Sequence, residues 1–155
     1  MIEVYSKGKK KDEIIGLVDG KNYLTRKKKL WGYLDGNAAR AKGGYPLLYL
    51  KEDGKITLNE DWNHQEQGYL KDGKIYYSGS NKLILSLHKD VGEIHNHLNN
   101  KTIYLRGEGI DTLTDTDFFG ISAILLELFA GAGESEGDDD SILDDIGDFI
   151  SDILD

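Results

Sequence analysis

The sequence predicts a mainly β fold, with consecutive antiparallel β-hairpins in a pseudo-repeat over residues 1–110, followed by two C-terminal α-helices. Three observations lead there. An apolar strand running into Asp-Gly recurs four times, at Asp19-Gly20, Asp35-Gly36, Asp53-Gly54 and Asp72-Gly73. The composition sets nine Tyr and 19 Gly against a single Pro and a single Met. Glycine supplies the positive φ that tight hairpin turns need, and tyrosine suits half-buried pleated surfaces. From Asp111 onward the pattern changes to helical spacing.

The repeat reads Ile15-Gly16-Leu17-Val18-Asp19-Gly20, Trp31-Gly32-Tyr33-Leu34-Asp35-Gly36, Leu48-Tyr49-Leu50-Lys51-Glu52-Asp53-Gly54 and Gln67-Gly68-Tyr69-Leu70-Lys71-Asp72-Gly73. Apolar or aromatic residues return after each turn, at Tyr23-Leu24, Ile56 and Leu58, and Ile75-Tyr76-Tyr77. Asp-Gly between such runs is a strong hairpin signal, because a type I′ turn requires positive φ at both central residues. A looser fifth copy runs from Gly92-Glu93-Ile94 through Asn99-Asn100 to Ile103-Tyr104-Leu105. The turns are 16, 18 and 19 residues apart, too uneven for a solenoid. One hairpin is marginal alone, so the copies must pack together as a ring, a barrel or a sandwich.

The sequence Leu30-Trp31-Gly32-Tyr33-Leu34-Asp35-Gly36, its counterpart at 67–73 and the Tyr5-Ser6-Lys7-Gly8 stretch resemble the repeat of the bacterial four-fold beta flower domain. The resemblance covers roughly residues 2–80 and extends at most to 106. It implies a small pseudo-symmetric set of β-hairpins, with no activity and no catalytic residues. The chain departs from that pattern in the insertion from Trp62 to Gln67, in the Leu83–Val91 segment and in the whole tail.

In the tail, Thr114-Asp115-Thr116-Asp117 offers N-caps for a helix expected over about 116–130, with Gly131 and Gly133 as stops. It is apolar almost all round and therefore expected to be buried. A glycine-acidic linker follows over about 131–140. Ile142, Leu143, Ile146, Phe149, Ile150, Ile153 and Leu154 then mark one face of an amphipathic helix over about 141–154. Gly147, and carboxylates at the helix C-terminus, weaken that helix in isolation, so it needs a surface to fold on. Residues 1–110 form one unit in this reading and the acidic tail, 111–155, another.

Charge sharpens the division. All 19 Lys and Arg lie between Lys7 and Arg106, so residues 1–110 carry +5 and residues 111–155 carry −14, giving the overall −9. Opposite signs predict that the tail docks on its own domain or on a basic partner. The absence of cysteine excludes disulfides and thiolate chemistry. The N-terminus has no secretory pattern, and the most apolar window, Phe118 to Ala130, is too short to span a bilayer. A cytoplasmic location is expected, with export lacking a cleavable signal left open.

Candidate sites are few. His95 and His97 would share one strand face, and His88 or His64 would complete a divalent-metal site. The plainer alternative is a pair of solvent-facing histidines, and no cofactor is otherwise expected. Trp62 and His64 occupy the longest polar insertion, where a carbohydrate- or peptide-binding loop competes with a tryptophan that pins the loop to the core. Lys27-Lys28-Lys29 beside Trp31 and Tyr33 suggests a nucleic-acid surface, which the isoelectric point near 4.9 argues against. No phosphate loop, nucleophile elbow or Walker motif is present.

These features point away from an enzyme. The leading expectation is a non-enzymatic binding or scaffolding protein whose acidic amphipathic C-terminal helix docks on a protein partner, a second subunit or its own basic face. The alternatives are a bacterial effector, toxin or immunity-type module with an acidic masking surface, and a histidine-centred metal-dependent hydrolase.

Overall fold

The computed structural model describes residues 1–129, within which twelve antiparallel strands close into one barrel. In chain order they are β1 (Ile2–Lys7), β2 (Asp12–Asp19), β3 (Asn22–Leu24), β4 (Leu30–Asp35), β5 (Ala38–Ala41), β6 (Pro46–Leu50), β7 (Lys55–Thr57), β8 (Glu66–Lys71), β9 (Lys74–Tyr77), β10 (Leu83–His88), β11 (Glu93–Asn96) and β12 (Lys101–Gly107). Each pairs with its sequence neighbours. The circle is closed by β1 against β12, in the register Ile2↔Gly107 through Tyr5↔Tyr104. Among the described residues, closure leaves no unpaired strand edge to template association.

Side chains alternate across the wall, as the period of two requires. Between β8 and β9 the inward pairs Gly68↔Tyr77 and Leu70↔Ile75 alternate with the outward pairs Tyr69↔Tyr76 and Lys71↔Lys74. The Tyr69 and Tyr76 rings stack outside at 4.9 Å, and the Tyr5 and Tyr104 rings at 5.6 Å. Cations cover some of these rings: Lys7 lies over Tyr104 and Arg106 over Tyr5, each 4.4 Å from the ring centroid.

The four Asp-Gly pairs do not share one turn geometry. Asp19 pairs with Asn22 and Asp35 with Ala38, so Gly20-Lys21 and Gly36-Asn37 form the two-residue loops and the aspartates close their strands. At 72–73 alone among the four are both residues at positive φ, 51° for Asp72 and 72° for Gly73, as a type I′ turn requires. Gly54 closes a longer loop, donating its N–H to Lys51 O while Lys51 N–H donates to Lys55 O.

A barrel of about eight strands is filled by its own side chains, so twelve leave a lumen that needs another occupant. A helix supplies it. The helix α1 (Asp115–Gly120) continues as a π-helical turn over Ile121–Leu125. Phe118, Phe119 and Ile121 are fully buried and Ile124 nearly so, in one core with Val4, Ile56, Ile75 and Ile94 of the wall. The helix therefore shares the core of the strands. At its start, Thr114 Oγ1 accepts from Asp117 N–H while Thr114 N–H donates to Asp117 Oδ2, a complete capping box.

The strand glycine of the repeat is where the wall admits this helix. A Cβ on Gly16 would lie 2.7 Å from Leu125 Cδ2, on Gly32 2.8 Å from Ile124 Cγ2, and on Gly68 2.7 Å from the Phe129 ring. The sequence predicted a helix reaching 130; it stops earlier. Leu128 N–H turns back to Ser122 O, Glu127 and Phe129 take φ of 53° and 59°, and Phe129 packs on Tyr77 at 5.7 Å between ring centroids. Burying Phe129 against the wall at Gly68 competes with, and displaces, another helical turn. The expected linker over 131–140 and helix over 141–154 lie outside the described residues. No helix among the described residues is long and apolar enough to cross a membrane.

Candidate functional site

With the lumen filled, the chemistry-bearing side chains of the described residues gather on the outer wall in two places. The first is the insertion between β7 and β8. Asn59, 2% exposed, is its fastening: its amide donates to Pro46 O at 2.7 Å and its Oδ1 accepts from Asp61 N–H at 2.9 Å. A 3-10 turn over Glu60–Trp62 follows, with Trp62, Asn63 and His64 N–H groups returning to Asn59 O, Glu60 O and Asn59 O. Asn63 and His64 are consecutive non-glycine residues at positive φ, 54° and 50°. Such conformations persist only where the surroundings hold them, and they gather at binding sites.

This loop stands over the β5–β6 hairpin. Tyr45 Oη donates to Asp61 Oδ2 at 3.3 Å, and Tyr49 Oη donates to Glu60 Oε1 at 2.6 Å. The Tyr49 bond holds the Glu60 carboxyl below its ordinary range, and the same bond raises the Tyr49 phenol. His64 lies 5.5 Å from the Tyr49 ring. Trp62 is 40% exposed and Tyr45 50% exposed, so the tryptophan does not pin the loop to the core; Asn59 does.

The second place is the β10–β11 face. His88 and Ser86 alternate outward on β10, and Glu93 and His95 on β11 answer them in the pairs His88↔Glu93 and Ser86↔His95. His97 lies just beyond β11. Ser86 Oγ is 2.9 Å from His88 Nε2 and 2.8 Å from His97 Nε2. His95 Nε2 is 2.8 Å from Glu93 Oε1, and its ring is 4.1 Å from that of His88 and 6.3 Å from that of His97. Of the two partners considered for His95 and His97, His88 joins them and His64 stands with the other cluster.

The serine hydroxyl couples the two imidazoles it touches. It can donate to one Nε2 and accept from an Nε2–H of the other, so neutral His88 and His97 take opposite tautomers. Burial, then the nearby His95, His88 and Lys74, push His97 below the ordinary histidine value. Among the described residues, no group of three or more His, Asp or Glu side chains is arranged to hold a metal ion. In this arrangement the Nε2 atoms of His88 and His97 are turned onto Ser86.

The sequence does not mark the other members of these clusters, Ser86, Glu93, Tyr45, Tyr49, Asn59, Glu60 and Asp61, as site residues. Ser86 carries a faint signal, a polar residue inside Leu83-Ile84-Leu85-Ser86-Leu87. Asn59 carries the local signal of an N-cap two residues before Asp61, while its bond to Pro46 O, like that of Tyr45 to Asp61, joins segments distant in the chain. Among the lysine-rich loops, Lys42 sits 6.0 Å from the Trp31 ring centroid. The apolar stripe Ile142, Leu143, Ile146, Phe149, Ile150, Ile153 and Leu154 lies outside the described residues. No protein-family model, curated protein or solved structure matches the chain.

Proposed function

We propose that the chain is a non-enzymatic binding protein, a plugged barrel that anchors an acidic, amphipathic C-terminal segment for docking on a basic protein surface. The observation that carries this reading is the filled lumen. Phe118, Phe119, Ile121 and Ile124 occupy the space in which a carrier barrel would hold a ligand, so recognition falls to the outer wall and to the chain beyond Phe129. The charge pattern supports the same reading. Residues 130–155 contain ten acidic and no basic residues, while all 19 Lys and Arg belong to the barrel. The partner chemistry is an apolar groove rimmed by Lys or Arg, and the barrel wall of a second copy is the first candidate. The repeat likewise supports kinship with the four-fold beta flower, a likeness that implies no activity.

The test compares the full chain with one ending at residue 133, and adds a synthetic 134–155 peptide back to the shorter chain. The shorter chain is expected to keep its circular dichroism and melting temperature while losing self-association. The peptide is expected to bind it more weakly as salt rises. Equal association by both chains, together with no peptide binding at low salt, would remove this reading.

A further inference from the structure

The insertion between β7 and β8 is built more rigidly than a connecting loop requires. Asn59 is buried and doubly hydrogen-bonded, the 3-10 turn returns three N–H groups to its first residues, and two consecutive residues hold left-handed backbone. What this rigidity presents is two exposed aromatic rings, Trp62 and Tyr45, beside two exposed carboxylates, Asp61 and Glu60. Glu60 has one oxygen held by the Tyr49 hydroxyl at 2.6 Å and Asp61 has one in a longer contact with the Tyr45 hydroxyl at 3.3 Å, which orients Glu60 and leaves acceptor capacity free on both. Fixing these groups in advance lowers the ordering cost of binding.

Aromatic faces next to oriented carboxylates suit two ligand classes, a cationic side chain or a neutral sugar. The surroundings favour the sugar. Lys51 Nζ already lies 5.1 Å over the Tyr49 ring, taking the cation–π position there. Arg40 acts electrostatically on both Tyr49 and Glu60 and offsets part of the Glu60 charge. A neutral polyol needs what remains: apolar ring faces for its C–H surface and carboxylate acceptors for its hydroxyls.

We propose that the 59–64 loop and the β5–β6 hairpin beneath it form a saccharide-binding platform. Trp62 and Tyr45 stack on the C–H face of a neutral sugar, while Asp61 and Glu60 accept hydrogen bonds from its hydroxyls. This assignment is independent of the tail.

The experiment screens the full chain against an array of neutral oligosaccharides, then titrates the hits by fluorescence in a Trp31→Phe background, where Trp62 is the remaining tryptophan. The expected result is saturable binding with a shift in Trp62 emission. Trp62→Ala and Tyr45→Ala, read by array or calorimetry, should each weaken binding by about tenfold or more at unchanged melting temperature. Three outcomes overturn the proposal: no neutral glycan bound above background, binding that survives Trp62→Ala, or an oligolysine peptide binding at this loop where sugars do not.

Discussion

Lys21 Nζ lies 2.9 Å from Asp117 Oδ1, joining the loop between β2 and β3 to the first turn of the helix that fills the barrel. The two residues are 96 apart in sequence. Lys21 is mostly exposed and Asp117 mostly covered, so the contact sits where the helix enters the lumen. Asp117 also completes the capping box with Thr114. One carboxylate thus serves both the helix terminus and the wall.

Removing the cap should therefore cost more than removing the ion pair. Thr114→Ala is expected to lower stability by about 1 kcal/mol. Lys21→Met should lower it by roughly 0.2–1 kcal/mol, since its ammonium is solvated. Burial raises the Asp117 carboxyl, but bonds from Lys21 and Thr114 outweigh it and leave the group below its ordinary value of 3.8. The unfolded chain then takes up this proton first. The contribution is present above about pH 3.8 and is lost as pH falls through the lower folded value. Urea midpoints against pH for wild type and Asp117→Asn check this, with the acid-side slope expected to be shallower in the variant.

Alanine at the repeat's strand glycine should be poorly tolerated. In Gly68→Ala the new Cβ would meet the Tyr76 carbonyl and, at 2.7 Å, the Phe129 ring. The backbone carbonyl cannot move without shifting the strand. Destabilisation of about 1–3 kcal/mol or more is expected from thermal melts. Gly43→Ala is the control: its Cβ would meet nothing within 4 Å, and a change within about 0.5 kcal/mol is expected.

The histidine cluster should add an acid-side loss of stability of the same sign in a higher pH window. His97 titrates below 6.5 in the fold because of burial and then the neighbouring His95, His88 and Lys74. Between that lower value and 6.5 the unfolded chain binds more protons, so stability falls as pH drops from about 7 through the folded value. High salt should blunt only the part that comes from the neighbouring His95, His88 and Lys74. Denaturation midpoints at pH 7.5 and 5.5 measure it, and the His97→Gln variant should show a smaller difference between them.

Asn59→Ala should loosen the loop without opening the barrel. The change leaves Pro46 O and Asp61 N–H without their partner and empties a buried site, for an expected loss of about 1–3 kcal/mol. Faster amide exchange confined to residues 59–65, with the β1–β12 seam still protected, is the expected signature. Uniform loss of protection would show that the loop is part of the barrel's cooperative unit.

Local chemistry determined what the sequence revealed. Strand alternation, glycine turns and the Thr114 cap depend on residues within a few positions of one another, so β-hairpins and a helix beginning near 115 were legible in Ile15–Gly20, Trp31–Gly36 and Thr114–Asp117. Even so, Asp19 and Asp35 proved to be strand ends, because strand register decides which residue enters the loop. Only the tertiary structure decided that β1 meets β12, that the helix occupies the lumen, and that it ends at Leu125 so that Phe129 reaches Gly68. It also decided that Gly16, Gly32 and Gly68 serve close packing. These outcomes, like the gathering of Ser86 and His88 with His97 or of Tyr45 with Asp61, bring together segments distant in the chain. The closed wall and its filled interior select them, and no local spacing encodes them.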